Sequence, residues 1–313
     1  MNNSIIVLRK PKIIPRIVKN YCLMTLGKTV LRTIEIALTY DCQCRCKHCC
    51  CEDLKHNKKD ELTTESIKNI IDQSIKLGAI HVLFTGGETL IPRNKLLEVI
   101  KHANKRNCIS SIDTNGILLN KSYAQDLKKS GLDVACISLD YPYEKEHDKF
   151  REYNGCYAKT IDAITNCKSV GIEVIISTLL TKDKLRNGML IKILDIAKSL
   201  DCSVIFCLPV LTGKWRGNKK ERLDEQDILL LNEVMNQPLA RLCEENNYFF
   251  KGCSAGSEKI AISLYGGVMP CSFIKNEFGN TKKDTLRIIL KRMRKNKLYN
   301  KVNRKMKCLA AGI

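Results

Sequence analysis

From Thr33 onward the chain alternates short apolar, β-branched runs with longer segments whose apolar residues recur at three- and four-residue spacing. The short runs predict strands near residues 33–39, 79–85, 108–114, 133–139, 173–179 and 203–209. The longer segments predict helices over Thr64–Leu77, Asn94–Lys105, Ser122–Ser130, Tyr157–Val170 and Met189–Leu200. Strand and helix in alternation imply parallel strands joined by right-handed crossovers. Six such units fit an open doubly wound sheet or an incomplete barrel, and periodicity does not choose between them. In both, the functional site lies beyond the carboxyl ends of the strands.

The flanks have a different texture. Residues 1–32 carry seven basic and no acidic side chains, and Ile13–Leu26 predicts an amphipathic helix after Pro11 or Pro15, suited to packing as an arm. After a basic loop at Trp215–Lys220, Asp224–Glu245 predicts a helix and Tyr248–Asn280 a glycine-punctuated hairpin bearing cysteines. Residues 281–307 hold twelve Lys or Arg and one Asp. The expected division is a basic arm over 1–32, an α/β unit over 33–215, a linker helix over 216–247 and a cysteine-bearing region over 248–313.

Composition narrows the classes. A chain of 313 residues with 44% hydrophobic side chains can bury a proper core. No run of about 18 uncharged apolar residues and no signal-peptide pattern appears, so the expectation is a cytoplasmic protein with no integral membrane segment. The net charge of +20 favours anionic partners without choosing one, and a lysine-rich composition produces the same excess. The 17 cysteines would suggest disulfides in a short secreted chain, but their tight clustering in a long chain points to metal ligation.

Chemistry concentrates where the first strand ends. Between Cys42 and Cys51 six of ten residues are cysteine. Thiolates are soft ligands that hold zinc or an iron-sulfur cluster, and a second separated pair of the kind zinc favours is not evident nearby. Only Cys42 opens a C-x3-C-x2-C frame, giving Cys42, Cys46 and Cys49 and leaving Cys44, Cys50 and Cys51 outside it. Three ligands on a four-iron cluster leave one iron open to a substrate.

This loop resembles the signature of the radical S-adenosylmethionine superfamily, with His48 where that family usually has an aromatic residue. Further motifs follow in the family's order at strand ends. Gly86, Gly87 and Glu88 resemble the element that contacts the methionine amino group. Thr114 and Asn115, then Ser138 and Asp140, resemble ribose and carboxylate contacts. Arg151 matches a segment that supplies an arginine to the methionine carboxylate, although Tyr141 replaces a glycine found there in the sulfatase-maturating branch.

The resemblance implies a partial (β/α)6 TIM-like barrel with a small C-terminal iron-sulfur extension. It implies a 4Fe-4S cluster that binds S-adenosyl-L-methionine and cleaves it reductively to a 5′-deoxyadenosyl radical. A reductant protein such as flavodoxin or ferredoxin would supply the electron. Cys253, Gly266 and Cys271, with Cys308 far downstream, resemble the auxiliary-cluster extension called SPASM or its shorter Twitch form. They imply a second iron-sulfur cluster whose fourth ligand could be Cys243, Cys207 or Cys202.

The substrate is expected to be an anionic peptide, or else a small polar metabolite of sugar or cofactor biosynthesis. A non-catalytic metal protein that binds nucleic acid is the reading from another class. It leaves the ordered strand-end motifs unexplained, so nucleic acid is not the expected partner. The catalytic acid or base and the oligomeric state have no signal in the sequence.

Overall fold

The computed structural model describes residues 10–54, 60–243, 252–302 and 308–311. The six expected strands form as β1 (Thr33–Thr39), β2 (His81–Gly86), β3 (Ile109–Thr114), β4 (Val134–Ser138), β5 (Glu173–Leu179) and β6 (Ser203–Cys207), each parallel to the next. Crossover helices stand where periodicity puts them: α2 (Thr64–Lys76), α3 (Arg93–Lys105), α4 (Lys121–Ser130), α6 (Cys156–Ser169) and α8 (Met189–Ser199), with α1 (Ile14–Thr25) in the arm. Their starts are built locally. The Thr63 and Asn120 side chains accept from the Ser66 and Tyr123 amides, occupying donors that a helix start leaves open.

Two short helices, α5 (Glu144–Arg151) and α7 (Lys182–Arg186), follow β4 and β5. Neither has enough turns for a clear periodic signal.

The expected helix over Asp224–Glu245 needs correction. It runs only from Glu225 to Met235 as α9, and Ala240–Leu242 forms β7, parallel to β6. Pro238 has no amide hydrogen for an intrahelical bond, and its ring excludes the residue before it from helical geometry. A three-residue strand then carries too little pattern to be read. Glu244 and Glu245 lie outside the described residues.

The hairpin expectation is met by β8 (Lys259–Ile262) and β9 (Val268–Met269), antiparallel through Ala261 and Met269. β8 also lies parallel to β1, so the extension continues the sheet in the order β7-β6-β5-β4-β3-β2-β1-β8-β9. The sheet ends at β7 and β9 and stays an open partial barrel. Within the basic C-terminal stretch, α10 (Leu286–Met293) buries Leu286, Ile289, Leu290 and Met293 and turns its cations outward. No helix among the described residues is long and apolar enough to cross a membrane.

Strand periodicity separates two faces. Ile34, Ile36, Leu38, Val82, Phe84, Ile112 and Ile137 pack against the helices in the main core. Near its amino-terminal end the opposite, inner face is apolar: Ile80, Ile109, Val134 and Ile175 are closed over by Ile13 from the arm. The arm is pinned there by Lys10 on Asp133 (2.5 Å), Arg16 on the Ala79 carbonyl (3.0 Å) and Asn20 on the Gly78 carbonyl (2.7 Å).

Further up, the inner face turns polar. Thr85, Asp113, Cys136, Ser138, Ser177 and Cys207 are partly exposed although they lie on sheet strands, so this end of the interior is open to solvent. The fold thus has a plugged base and an open upper end. Ile13→Ala removes the plug's fully buried side chain and is expected to lower stability by about 2–4 kcal/mol. Denaturant unfolding measures this, with the neighbouring exposed Lys12→Ala expected to change little.

Candidate functional site

At the open end the backbone leaving β1 lies directly on the backbone leaving β2. The Gly87 amide donates to Thr39 O (2.8 Å) and the Glu88 amide to Asp41 O (2.7 Å). A Cβ at Gly86 would overlap the Thr39 carbonyl, and one at Gly87 the Asp41 carbonyl. Gly86 also sits at φ +139°, where a side chain is strained. The glycines therefore seat the cysteine loop against the end of β2.

Glu88 is fully buried and its oxygens are engaged by the protein. Oε1 accepts from Thr114 Oγ1 (2.6 Å) and the Leu90 amide (3.0 Å), and Oε2 accepts from the Asn115 amide (2.9 Å). Burial pushes its pKa up against the pull of these donors. The carboxylate thus ties the end of β2 to the end of β3.

Asn115, so held, donates through Nδ2 toward Cys42 Sγ (3.7 Å) and Cys44 Sγ (3.5 Å). Cys42, Cys44, Cys46 and Cys49 share one small cluster with Ile117, Tyr153 and a buried thiol outside the loop, Cys156 at the start of α6. The Cys44 thiol, with the Arg151 guanidinium, brings Cys46 down to about 7, and Cys44 likewise lowers Cys42. Low thiol pKa favours the thiolate that binds metal. A loop of soft donors suits an iron-sulfur cluster.

Asp140 and Arg151, expected as separate contacts, are bonded to each other. Arg151 Nη2 lies 2.6 Å from Asp140 Oδ2, both side chains are nearly or fully buried, and Arg151 Nη1 reaches Cys46 Sγ at 3.8 Å. Lys184, which the sequence did not single out, is wholly buried with Nζ 3.8 Å from Asp140 Oδ1, over the rings of Tyr141 and Phe150. Burial would raise Asp140, but Arg151 and Lys184 outweigh it and hold the carboxylate well below its usual range. Burial lowers Lys184 to about 8. Two cations around one carboxylate leave this wall suited to a further anionic group.

His48 fills the aromatic place in the loop. It stacks on Phe150 at 4.6 Å between centroids, meets Trp215 edge-on, and burial lowers it to about 3. Ser138 stands partly exposed on the inner face at the end of β4. Asp113, next to the expected contacts Thr114 and Asn115, is raised to about 7 by burial and by Glu35.

A second thiol cluster forms beyond β8. Cys243, Cys253, Cys271 and Cys308 line one small recess with Lys259 and Phe273. Of the three candidates for a fourth thiol, Cys243 is the one that faces it. Cys202 is packed in the main core and Cys207 lies on the inner face beside Ser177. The fourth cysteine precedes the family-like spacing, so no motif marks it. Four soft donors around a recess suit a second cluster.

Comparison with known proteins agrees with this layout. Residues 36–187 match the model of the radical SAM superfamily, and residues 253–310 match that of the SPASM iron-sulfur cluster-binding domain. The AdoMet-dependent heme synthase of Nitratidesulfovibrio vulgaris is 24% identical over 290 residues, covering 82% of this chain and 77% of the relative. A GTP 3′,8-cyclase of Alkaliphilus oremlandii is 35% identical over 145 residues, 44% of each chain. The crystal structure of Streptococcus suis SuiB bound to precursor peptide SuiA superposes with a TM-score of 0.68 at 16% identity, covering 86% of this chain and 67% of that one.

The Glu88 network has a measurable consequence. Glu88→Ala strands the Asn115 amide and the Thr114 hydroxyl in a buried site, and the expected loss is about 1–3 kcal/mol of stability. Denaturant melts give the loss. A melt equal to wild type would show that the carboxylate does not hold the two strand ends together.

Proposed function

Because this chain belongs to the radical S-adenosylmethionine superfamily and carries its SPASM iron-sulfur extension, we propose that it matures a peptide or protein side chain by hydrogen abstraction. The enzyme class follows from the family. A four-iron, four-sulfur cluster together with S-adenosylmethionine supplies reductive cleavage of the sulfonium and the 5′-deoxyadenosyl radical that takes the hydrogen atom. The observation that carries the reading is the gathering of Cys42, Cys46 and Cys49 with Asn115 and Arg151 at the open, polar end of the barrel.

Each residue has a part that follows from its setting. Cys42, Cys46 and Cys49 hold the cluster, and Arg151 keeps positive charge beside Cys46. Arg151 and Lys184 together exceed the charge of Asp140 and receive the cofactor's carboxylate. With the Glu88 oxygens already taken, the methionine ammonium falls to backbone carbonyls at the end of β2, and Glu88 acts by holding Asn115 in place. Gly86 and Gly87 bring that backbone up to the loop, Thr114 fixes Glu88, and Ser138 offers its hydroxyl to the ribose. The polar inner face beneath, with Asp113 and Ser177, receives the substrate. Cys243, Cys253, Cys271 and Cys308 hold the auxiliary cluster.

A peptide substrate is supported by the likeness in fold to the peptide-bound SuiB structure, over 86% of this chain. The heme synthase and GTP cyclase relatives favour the second reading, a small metabolite. The reductant is an acidic one-electron carrier of flavodoxin or ferredoxin type. Arg45 and Lys47, between the proposed ligands, are exposed, and exposed Lys214 bonds to the same loop through the Cys49 and Arg45 carbonyls (3.0 and 2.6 Å). This places cations at the loop surface for an anionic partner.

Anaerobically reconstituted enzyme with a chemical reductant is expected to convert S-adenosylmethionine to 5′-deoxyadenosine, and Cys46→Ala to abolish it. Unchanged turnover in that variant would refute the ligand assignment. A low-molecular-weight cell extract should stimulate turnover, and protease treatment of the extract should remove the stimulation if the substrate is a peptide. Stimulation that survives protease identifies a metabolite.

The reductant surface has its own test. Arg45→Glu with Lys47→Glu should slow reduction by flavodoxin hydroquinone at low salt by tenfold or more, while turnover with dithionite stays near wild type. Equal loss with both reductants would show that the cations serve the loop rather than a partner.

A further inference from the structure

A lysine–glutamate ion pair stands at the wall of the four-thiol recess. Lys259, the first residue of β8, lines the recess with Cys243, Cys253, Cys271 and Cys308. Its Nζ lies 3.4 Å from Oε1 of Glu35 on β1, and the two side chains are only 17% and 10% exposed. The other carboxylate oxygen accepts from Ser272 Oγ (2.6 Å) and from the Ser272 amide (3.2 Å), and Ser272 directly follows Cys271. Glu35 is therefore anchored to the chain that carries one of the thiols, while its ammonium partner stands in the wall of the recess. The pair has its positive end toward the recess and its negative end toward the interior, where Asp113 lies under the influence of Glu35.

Four thiolates bring four negative charges to a cluster, and each electron added brings another. A fixed positive charge in a low-dielectric wall stabilises the more negative state and so raises the reduction potential, and a negative charge behind it acts in the opposite sense. We propose that Lys259 is the charge that sets the reduction potential of the auxiliary cluster, aimed at it by Glu35 from the barrel side. The inference rests on the reading of Cys243, Cys253, Cys271 and Cys308 as cluster ligands. A higher potential makes the auxiliary cluster the better acceptor of an electron leaving a substrate held in the barrel.

An electrostatic role predicts opposite signs for the two partners, which a purely structural role does not. The measurement is a redox titration of the full chain followed by electron paramagnetic resonance. The variant Cys42→Ala/Cys46→Ala/Cys49→Ala supplies the auxiliary signal alone. Lys259→Met is expected to weaken the one-electron reduction equilibrium tenfold or more, a fall of at least about 59 mV. Lys259→Arg should restore most of it, and Glu35→Gln should shift the potential upward.

No shift in Lys259→Met at full iron content, or a fall in both Lys259→Met and Glu35→Gln, would overturn the inference. Should Lys259→Met not retain its cluster, Glu35→Gln decides alone: a rise supports the inference and a fall or no change defeats it. Iron and sulfide for only one cluster in the wild type would defeat the cluster reading itself, and the inference with it.

Discussion

Everything at the open end of the barrel depends on two strands approaching backbone to backbone. The chain leaving β1 at Thr39–Asp41 touches the chain leaving β2 at Gly86–Glu88, with amide donors bonded across and no room for a Cβ on either glycine. That contact sets where the cysteine loop begins. The Glu88 carboxylate extends the same constraint to the end of β3, and through Asn115 to the sulfurs of Cys42 and Cys44. A buried carboxylate with three donors is costly to desolvate and costly to disturb, so it holds one geometry where a loop of six cysteines could otherwise take many.

The far side of the loop is held by different means. The Arg45 and Lys47 amides donate to the Arg151 and Phe150 carbonyls at the end of α5, so the loop is bonded to the helix that carries Arg151. Gly213 packs where a Cβ would overlap the Cys49 carbonyl, and the Lys214 amide bonds to that carbonyl. The loop is thus fixed on three sides by backbone contacts. Its thiols and the cations Arg151 and Lys184 remain available for chemistry. The wall they form is buried, so charges along it are weakly screened.

Much of this was legible in the sequence, and the reason differs by element. Strands β1 to β6 and five crossover helices carry strong periodicity because one face of each is buried against the core, and pattern reports burial. That the thiols of the loop lie close together was legible because spacing along a loop limits where they can go, although the structure gathers Cys44 with Cys42, Cys46 and Cys49. Short elements were not: α5 and α7 are too brief for a period, and β7 follows Pro238 with three residues. Lys184 and Cys156 were missed because a buried lysine and a helix-start cysteine look like any others until the fold brings them to Asp140 and Cys44. The pairing of Asp140 with Arg151 is likewise a fact of proximity, since nothing in sequence says that two expected ligand contacts neutralise each other.

The same limit explains why the second thiol site emerged only in part from the sequence. Cys253 and Cys271 flank the β8–β9 hairpin, so their approach follows from local structure, whereas Cys243 follows β7 at the opposite edge of the sheet and Cys308 lies near the end of the chain. A recess closed by residues so distant in sequence ties both edges of an open sheet to the extension. Closing such long loops restricts the unfolded chain, and a bound cluster would add its binding free energy to folding. An open barrel leaves room for substrate, and the four-thiol recess is where this chain joins the β7 end of the sheet to the β8–β9 hairpin without closing the sheet between them.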